Sequence, residues 1–274
     1  MKFENPDIEE GINVSKEHPL KEFMQLCLGV IALVALAVMI LHVTAGYLAT
    51  KIPFSFEQSL VEHLDFLEVK ESPQQAALQQ LANEIALNMD LPKGMEITVH
   101  YSEDDTVNAF ATLGGHVFFF KGLVEKLESE DALAMVMAHE IAHIKHRHPI
   151  VAMGKGLTLL VLASSLTGAS GSSAGEALIG QSLNIGLLKF SRDQESESDI
   201  SAAAAIQKRY GHIVGAKELF DVFNNLGSGK TKVPEFFSSH PHTDGRWKKL
   251  KDMSINKQWK TLGSLTEQTI STSQ

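Results

Sequence analysis

The chain has 274 residues, 44% hydrophobic and 21% charged, the proportions of a folded protein and not of a disordered one. Twenty-four Lys and Arg against 33 Asp and Glu give a net charge of -9, which argues against a nucleic-acid surface. The single cysteine, Cys27, excludes an internal disulfide framework and a cysteine-built zinc site, whereas the twelve histidines, several of them close together, invite a chemical explanation.

In chain order, residues 1–22 read as a polar N-terminal tail. Residues 23–50 carry no Lys, Arg, Asp or Glu. As a helix they would extend about 42 Å, more than the ~30 Å hydrocarbon core of a bilayer. The polar lead and the lack of a small-residue cleavage site favour a transmembrane helix over a signal peptide. Tyr47 suits the interface, and His42 reads as a tolerated polar residue within the span. Lys16 and Lys21 before the span, against Lys51 and the more distant Lys70 after it, lean towards a cytoplasmic N-terminus. That orientation puts the remainder of the chain outside the cytoplasm. Residues 156–175 are also uncharged, but their second half is nearly all Ser, Gly, Ala and Thr. This stretch reads as a helix followed by a loop, with a second span as the alternative.

Residues 51–73 read as a juxtamembrane linker between Pro53 and Pro73, and 74–262 as the folded domain. Apolar Ala77, Leu78, Leu81, Ile85 and Met89 predict a helix over 74–89. Alternation of Ile97, Val99 and Tyr101 predicts a strand over 96–101. Residues 108–112 and 116–120 flank Gly114-Gly115, a hairpin signal. Ser129 can cap a helix through Arg147, with Glu130 and Asp131 suiting the dipole at its start and Pro149 ending it. Helical patterns recur over 178–210 and 213–226. The polar residues 263–274 read as a disordered tail.

His139-Glu140-Ile141-Ala142-His143 is an H-E-x-x-H motif. Four residues apart on a helix, both imidazoles face one side and can reach one zinc ion, and Glu140 can take a proton from a water there. A catalytic zinc usually has a third protein ligand. A metzincin would need Gly at 146 and His at 149, but those positions hold His146 and Pro149. A carboxylate is the remaining common choice. After the isolated Glu176, Asp193, Glu195, Glu197 and Asp199 form the next acidic cluster. On a helix Glu195 and Asp199 share a face, while Glu197 is turned by about 200°. Glu195 as ligand, with Asp199 backing a ligand histidine, satisfies the chemistry; Glu176 is the weaker candidate. His146 and His148 read as basic residues at a helix C-terminus.

Across residues 108–246 the chain resembles the HtpX and CAAX prenyl endopeptidase (Ste24-like) family of zinc metallopeptidases, within the gluzincins. The resemblance is carried by Asn108-Ala109-Phe110-Ala111 with Gly114-Gly115, by Gly122-Leu123, and by the helix ending in the H-E-x-x-H motif. It continues through Ser191-Arg192-x-Gln194-Glu195-x-Glu197-Ser198-Asp199 and His240-Pro241-x-Thr243-x-x-Arg246. Ser198 stands where the family's E-x-x-A-D pattern has Ala. The resemblance implies a mainly α, α+β zincin-like gluzincin domain with a small sheet, preceded by one transmembrane helix as in the single-anchor or periplasmic members. It implies one zinc ion per chain on His139, His143 and Glu195, with Glu140 as base. Asn108, Ala109, Phe110 and Ala111 would bind an extended peptide by strand addition. His240 would donate to the oxyanion or occupy the open metal position, and Arg246 would anchor its loop.

The expected activity is a membrane-anchored zinc endopeptidase acting on unfolded or membrane-associated polypeptides, in quality control of a bacterial envelope. Its partners would be those polypeptides and, through the anchor, membrane lipid. Localisation would be single-pass in the inner membrane, with the catalytic domain in the periplasm. The alternatives are a membrane-anchored chaperone or assembly factor with a latent zinc site, and a multi-span HtpX-like protease facing the cytoplasm.

Overall fold

A computed structural model describes residues 19–62, 69, 71–156, 189–227, 236, 240 and 245–270. Most of the uncharged stretch 156–175, and 178–188 of the helix expected over 178–210, lie outside the described residues. The described protein is mainly helical, with one small mixed sheet.

Helix α1, Pro19–Ala49, is apolar nearly throughout, and Leu20–Ala49 is long and apolar enough to cross a membrane. Nearly all its large side chains from Leu20 to Leu48 are exposed, as lipid-facing side chains would be; Val38 and His42 are half-buried. By its contacts the chain divides between Leu41 and His42 into two units. The second unit begins with the last turns of α1, where Ala49 is buried with Val61, Leu113 and Ile150.

The stretch read as a linker contains a helix, α2, Phe54–Val61. What holds it is long-range: buried Glu57 accepts from Arg147 Nε at 2.8 Å and from the Gly114 amide at 3.3 Å. Neither partner is near in sequence, so periodicity could not show it.

Helix α3, Pro73–Ala86, starts where expected, with Pro73 at its first position and the Ser72 hydroxyl accepting from the Gln75 amide. Leu78, Leu81, Ala82 and Ile85 bury its inner face. Strands β1 (Thr98–Ser102), β2 (Ala109–Ala111) and β3 (His116–Phe120) form a sheet in the order β1-β3-β2. β1 runs parallel to β3 and β2 antiparallel to it, with Phe110 opposite Phe118. The free edge of β1 is covered by two glutamines of α3. Tyr101 N donates to Gln75 Oε1 at 2.7 Å, Val99 N donates to Gln79 Oε1 at 2.8 Å, and the two side-chain amides donate to the Val99 and Ile97 carbonyls. The hairpin turn passes through Gly115 at φ 93°, where a Cβ would lie 2.1 Å from the Glu96 carbonyl oxygen; only glycine fits.

After the short helix α4 (Lys121–Val124) comes α5, Glu130–Lys145, capped by Ser129 Oγ, which accepts from Ala132 N at 3.1 Å. All of Asp131–Ile144 is buried, so this helix is the centre of the core. It ends at Lys145, earlier than expected. His146 caps it, Arg147 takes the left-handed conformation (φ 63°), and a new helical segment covers 148–156. Pro149 thus lies in the first turn of that segment, where a missing amide costs little.

Helix α6, Arg192–Tyr210, opens with a capping box between Ser191 and Gln194 and closes at Gly211 in the left-handed conformation. Ala202, Ala203 and Ala205 are buried along it, small enough for a close approach to neighbouring helices. Helices α7, Val214–Gly227, and α8, Arg246–Asn256, complete the domain. The C-terminal residues through 270 are not a loose tail. Thr266 N donates to Asp131 Oδ2 at 2.8 Å, Glu130 N donates to Thr266 O at 3.0 Å, and Ile270 packs against the core. These bonds occupy donors and acceptors at the start of α5, which a composition-based reading could not anticipate.

Candidate metal centre

Helix periodicity and two packed helices build the site. One turn of α5 presents His139 and His143 on one face, and α6 brings Glu195 and Asp199 against them. His240 is the fourth arrival, fully buried. Its Nδ1 lies 3.0 Å from Glu195 Oε1 and 3.3 Å from His139 Nε2. His139 Nε2 and His143 Nε2 are 3.0 Å apart, and Glu195 Oε1 is 3.4 Å from His143 Nε2. One donor atom from each of His139, His143, Glu195 and His240 falls within a span of 4.8 Å.

This donor set fits a metal ion. Ligands about 2.0–2.1 Å from a tetrahedral zinc stand roughly 3.3 Å from one another, close to the spacings found here. Borderline nitrogen donors with one carboxylate are the set that zinc accepts. Charge agrees: burial alone would raise the Glu195 carboxyl, yet facing His240, with hydrogen bonds from His139, His143 and His240, holds it well below the usual carboxylate range.

The outward nitrogens of the two α5 histidines meet different partners. His139 Nδ1 lies 3.1 Å from Asp199 Oδ1. Asp199 in turn accepts from Arg246 Nε at 2.8 Å and Nη2 at 2.7 Å, a bidentate pair at the first residue of α8. Burial would depress His139, but Asp199 and Glu195 raise it to about 9 in the metal-free protein. His143 has no such carboxylate on its outward side. Its Nδ1 is 2.9 Å from His148 Nδ1, and Phe190 stacks on its ring with centroids 3.9 Å apart. Burial pushes His143 well below its ordinary value and His148 down to about 4.

Glu140 is fully buried, and neither carboxylate oxygen has a well-formed hydrogen bond among the described residues. His240 Nε2 is 3.4 Å from its Oε1. Burial raises the carboxyl above the usual range, opposed by His240 and His139. A carboxyl in that condition is suited to trade a proton with a reacting group.

The sequence-derived residues Glu140, His139, His143, Glu195, Asp199, His240 and Arg246 therefore come together. Asn108, Ala109, Phe110 and Ala111 lie on or beside β2, at one edge of the sheet. Phe110 stacks on Phe118 and is buried, as are the side chains of Asn108, Ala109 and Ala111. Any role of this segment in binding an extended chain would fall to its backbone. His148 and Glu197 join the site against expectation. His148 is no helix-terminal surface base, because α5 stops short and the chain turns it back towards His143. Glu197 does point away from Glu195, but towards His148, with Oε2 3.2 Å from Nε2.

A buried H-E-x-x-H pair on one helix, a glutamate from a second and a small mixed sheet beside them define a metallopeptidase domain. Residues 72–254 match the model of Peptidase family M48, and the chain belongs to that family. The resemblance to HtpX and the CAAX prenyl endopeptidases accords with this membership. The chain is 33% identical over 157 residues to the mitochondrial metalloendopeptidase OMA1 of Schizosaccharomyces pombe, covering 56% of this chain and 45% of that one. It is 29% identical over 156 residues to the beta-barrel assembly-enhancing protease of Yersinia pestis, covering 52% and 31%. The metalloprotease YcaL of Escherichia coli is 26% identical over 149 residues, covering 53% and 58%. The matched region thus spans about a third to somewhat over half the length of these relatives.

Proposed function

We propose that the chain is a zinc endopeptidase anchored to a membrane by α1. The observation that carries this reading is the convergence of His139, His143 and Glu195 beside the buried base Glu140. His139 Nε2, His143 Nε2 and the Glu195 carboxylate would hold one zinc ion. A zinc ion held there would supply Lewis-acid chemistry, polarising a scissile carbonyl and lowering the pKa of a water towards neutrality. Glu140 takes a proton from the attacking water and delivers it to the leaving amine nitrogen. Asp199 and Arg246 hold His139 in register. His240 is the fourth donor of the group, which favours its sharing the open metal position over a role at a distance.

The substrate would be an extended polypeptide lying along β2 at Asn108–Ala111, where strand addition needs only backbone groups. The lysines before the span favour a cytoplasmic N-terminus, with the domain in the periplasm of a bacterial inner membrane. A role in envelope quality control is supported by relatives such as the one named a beta-barrel assembly-enhancing protease.

Purified wild type and Glu140→Gln, assayed on casein with zinc measured on both, test the reading. One zinc per chain in each is expected, with cleavage in the variant down by roughly two to four decades. Wild type that binds unfolded casein without cleaving it would overturn the reading in favour of a chaperone with a latent site.

A further inference from the structure

The two α5 histidines are backed unequally, and the weaker arrangement has not been assigned a role. We propose that His148 and Glu197 are positioning residues for the metal, fixing the ring of His143 as Asp199 and Arg246 fix that of His139. The proposal rests on the zinc reading above.

For His143 Nε2 to offer its lone pair into the His139–Glu195–His240 cluster, its remaining proton must sit on Nδ1. That Nδ1 is 2.9 Å from His148 Nδ1, which must therefore accept. His148 then carries its own proton on Nε2, 3.2 Å from Glu197 Oε2, an acceptor. Ser198 Oγ lies 3.4 Å from His148 Nδ1, whose single lone pair is already taken by His143. The other Glu197 oxygen is 3.1 Å from His146 Nδ1, whose Nε2 lies 2.8 Å from Ser201 Oγ. One set of tautomers satisfies the whole chain, and it is the set that presents His143 Nε2 to a metal.

The backbone supports this. Five residues along an unbroken helix, His148 would sit about 140° away from His143. The helix ends at Lys145, and Arg147 at φ 63° turns the chain so that His148 returns. Arg147 is itself held, donating to the Ile52 carbonyl at 2.7 Å and to Glu57. Phe190 covers the His143 ring, with centroids 3.9 Å apart. The ring is thus positioned by stacking and by one hydrogen bond.

The two arrangements differ in exposure. The Asp199 side chain is 5% accessible, that of Glu197 53%. Water can replace part of what Glu197 does, but cannot easily replace buried His148.

Zinc affinity of the full-length protein, measured by competition with a chromophoric chelator, tests this, with melting in EDTA as a metal-free control. His148→Leu is expected to weaken zinc binding by about 10–100-fold, the usual cost of losing an outer partner of a ligand. His148→Asn, whose Oδ1 can stand where Nδ1 accepts, is expected to stay within a few-fold of wild type. Glu197→Ala is expected to lose a few-fold, with the metal-free melting temperature unchanged. Wild-type affinity in His148→Leu would overturn the proposal, as would equal losses in the Leu and Asn variants, which would mean packing alone. Should His148→Leu not fold, unaltered zinc affinity in Glu197→Ala overturns the relay. Wild type binding no more zinc than His139→Ala would instead bring down the zinc reading itself.

Discussion

Two pairs of histidines in contact share this domain, one pair wholly buried and one only partly, and they have opposite chemistry. His100 and His116, on neighbouring strands, touch through Nε2 and Nδ1 at 2.8 Å, and His100 stacks on Phe118 with centroids 4.5 Å apart. Neither forms an ion pair among the described residues, and burial pushes His100 down to about 4, with His116 adding to the effect. His139 and His143 are buried more deeply still, yet Glu195 lies against both and Asp199 against one. A histidine pair in an apolar setting stays neutral and packs as an aromatic. With carboxylates brought in, a pair becomes a place for a cation.

If that contrast is right, the largest effect should come from removing the shared carboxylate. Glu195→Ala is expected to cost roughly three decades of zinc affinity, near one ligand's share of the ~10–16 kcal/mol of a structural zinc site. Zinc analysis after gel filtration would show it. Full occupancy in the variant would mean that Glu195 is not a ligand, and the histidine pairs would then differ less than their surroundings imply.

The chemistry at the centre was legible because it follows helix periodicity. His139 and His143 are four apart, as are Glu195 and Asp199, and both faces could be drawn without a structure. Arg246 was legible as an anchor, although helix α8 behind it was not. The His148–Glu197 contact depends on a helix break at Lys145–Arg147 that no repeat in the sequence marks. Helix α2 was hidden for a related reason, since its Glu57 answers a guanidinium 90 residues away. The docking of Thr266–Ile270 uses the backbone N–H and C=O of Thr266, which meet the Asp131 carboxylate and the Glu130 amide at the start of α5, and backbone groups leave no compositional trace.

The Glu57–Arg147 pair sharpens the comparison, as a buried ionic contact outside the metal cluster. Arg147→Ala would leave Glu57, 4% accessible, without its cation. Burial already raises that carboxyl despite Arg147. The expected loss is about 3 kcal/mol, the lower end for breaking a buried pair because Arg147 is itself 16% accessible. Urea unfolding in EDTA should show the full loss, since this pair does not depend on metal. Replacing both partners, as Glu57→Gln with Arg147→Met, should recover much of it. A loss that appears only with zinc present would tie the pair to the metal site instead.

The smallest effect concerns the strand histidines. His100 has a folded-state value near 4 against an ordinary 6.5, so between those limits the unfolded chain binds the extra proton. Stability contributed by neutral His100 is therefore complete above about pH 6.5 and is lost as the pH falls towards 4. Solvent screening limits the expected size to roughly 1–2 kcal/mol. His100→Phe keeps the stack on Phe118 and removes the titration. Its unfolding free energy in EDTA should fall less steeply than that of wild type over this window. The metal ligands titrate alike in both proteins, so the difference between the two slopes reports His100 together with its partner His116. Parallel slopes would mean that protonated His100 is tolerated in the fold, and the contrast between the two histidine pairs would then rest on the carboxylates alone.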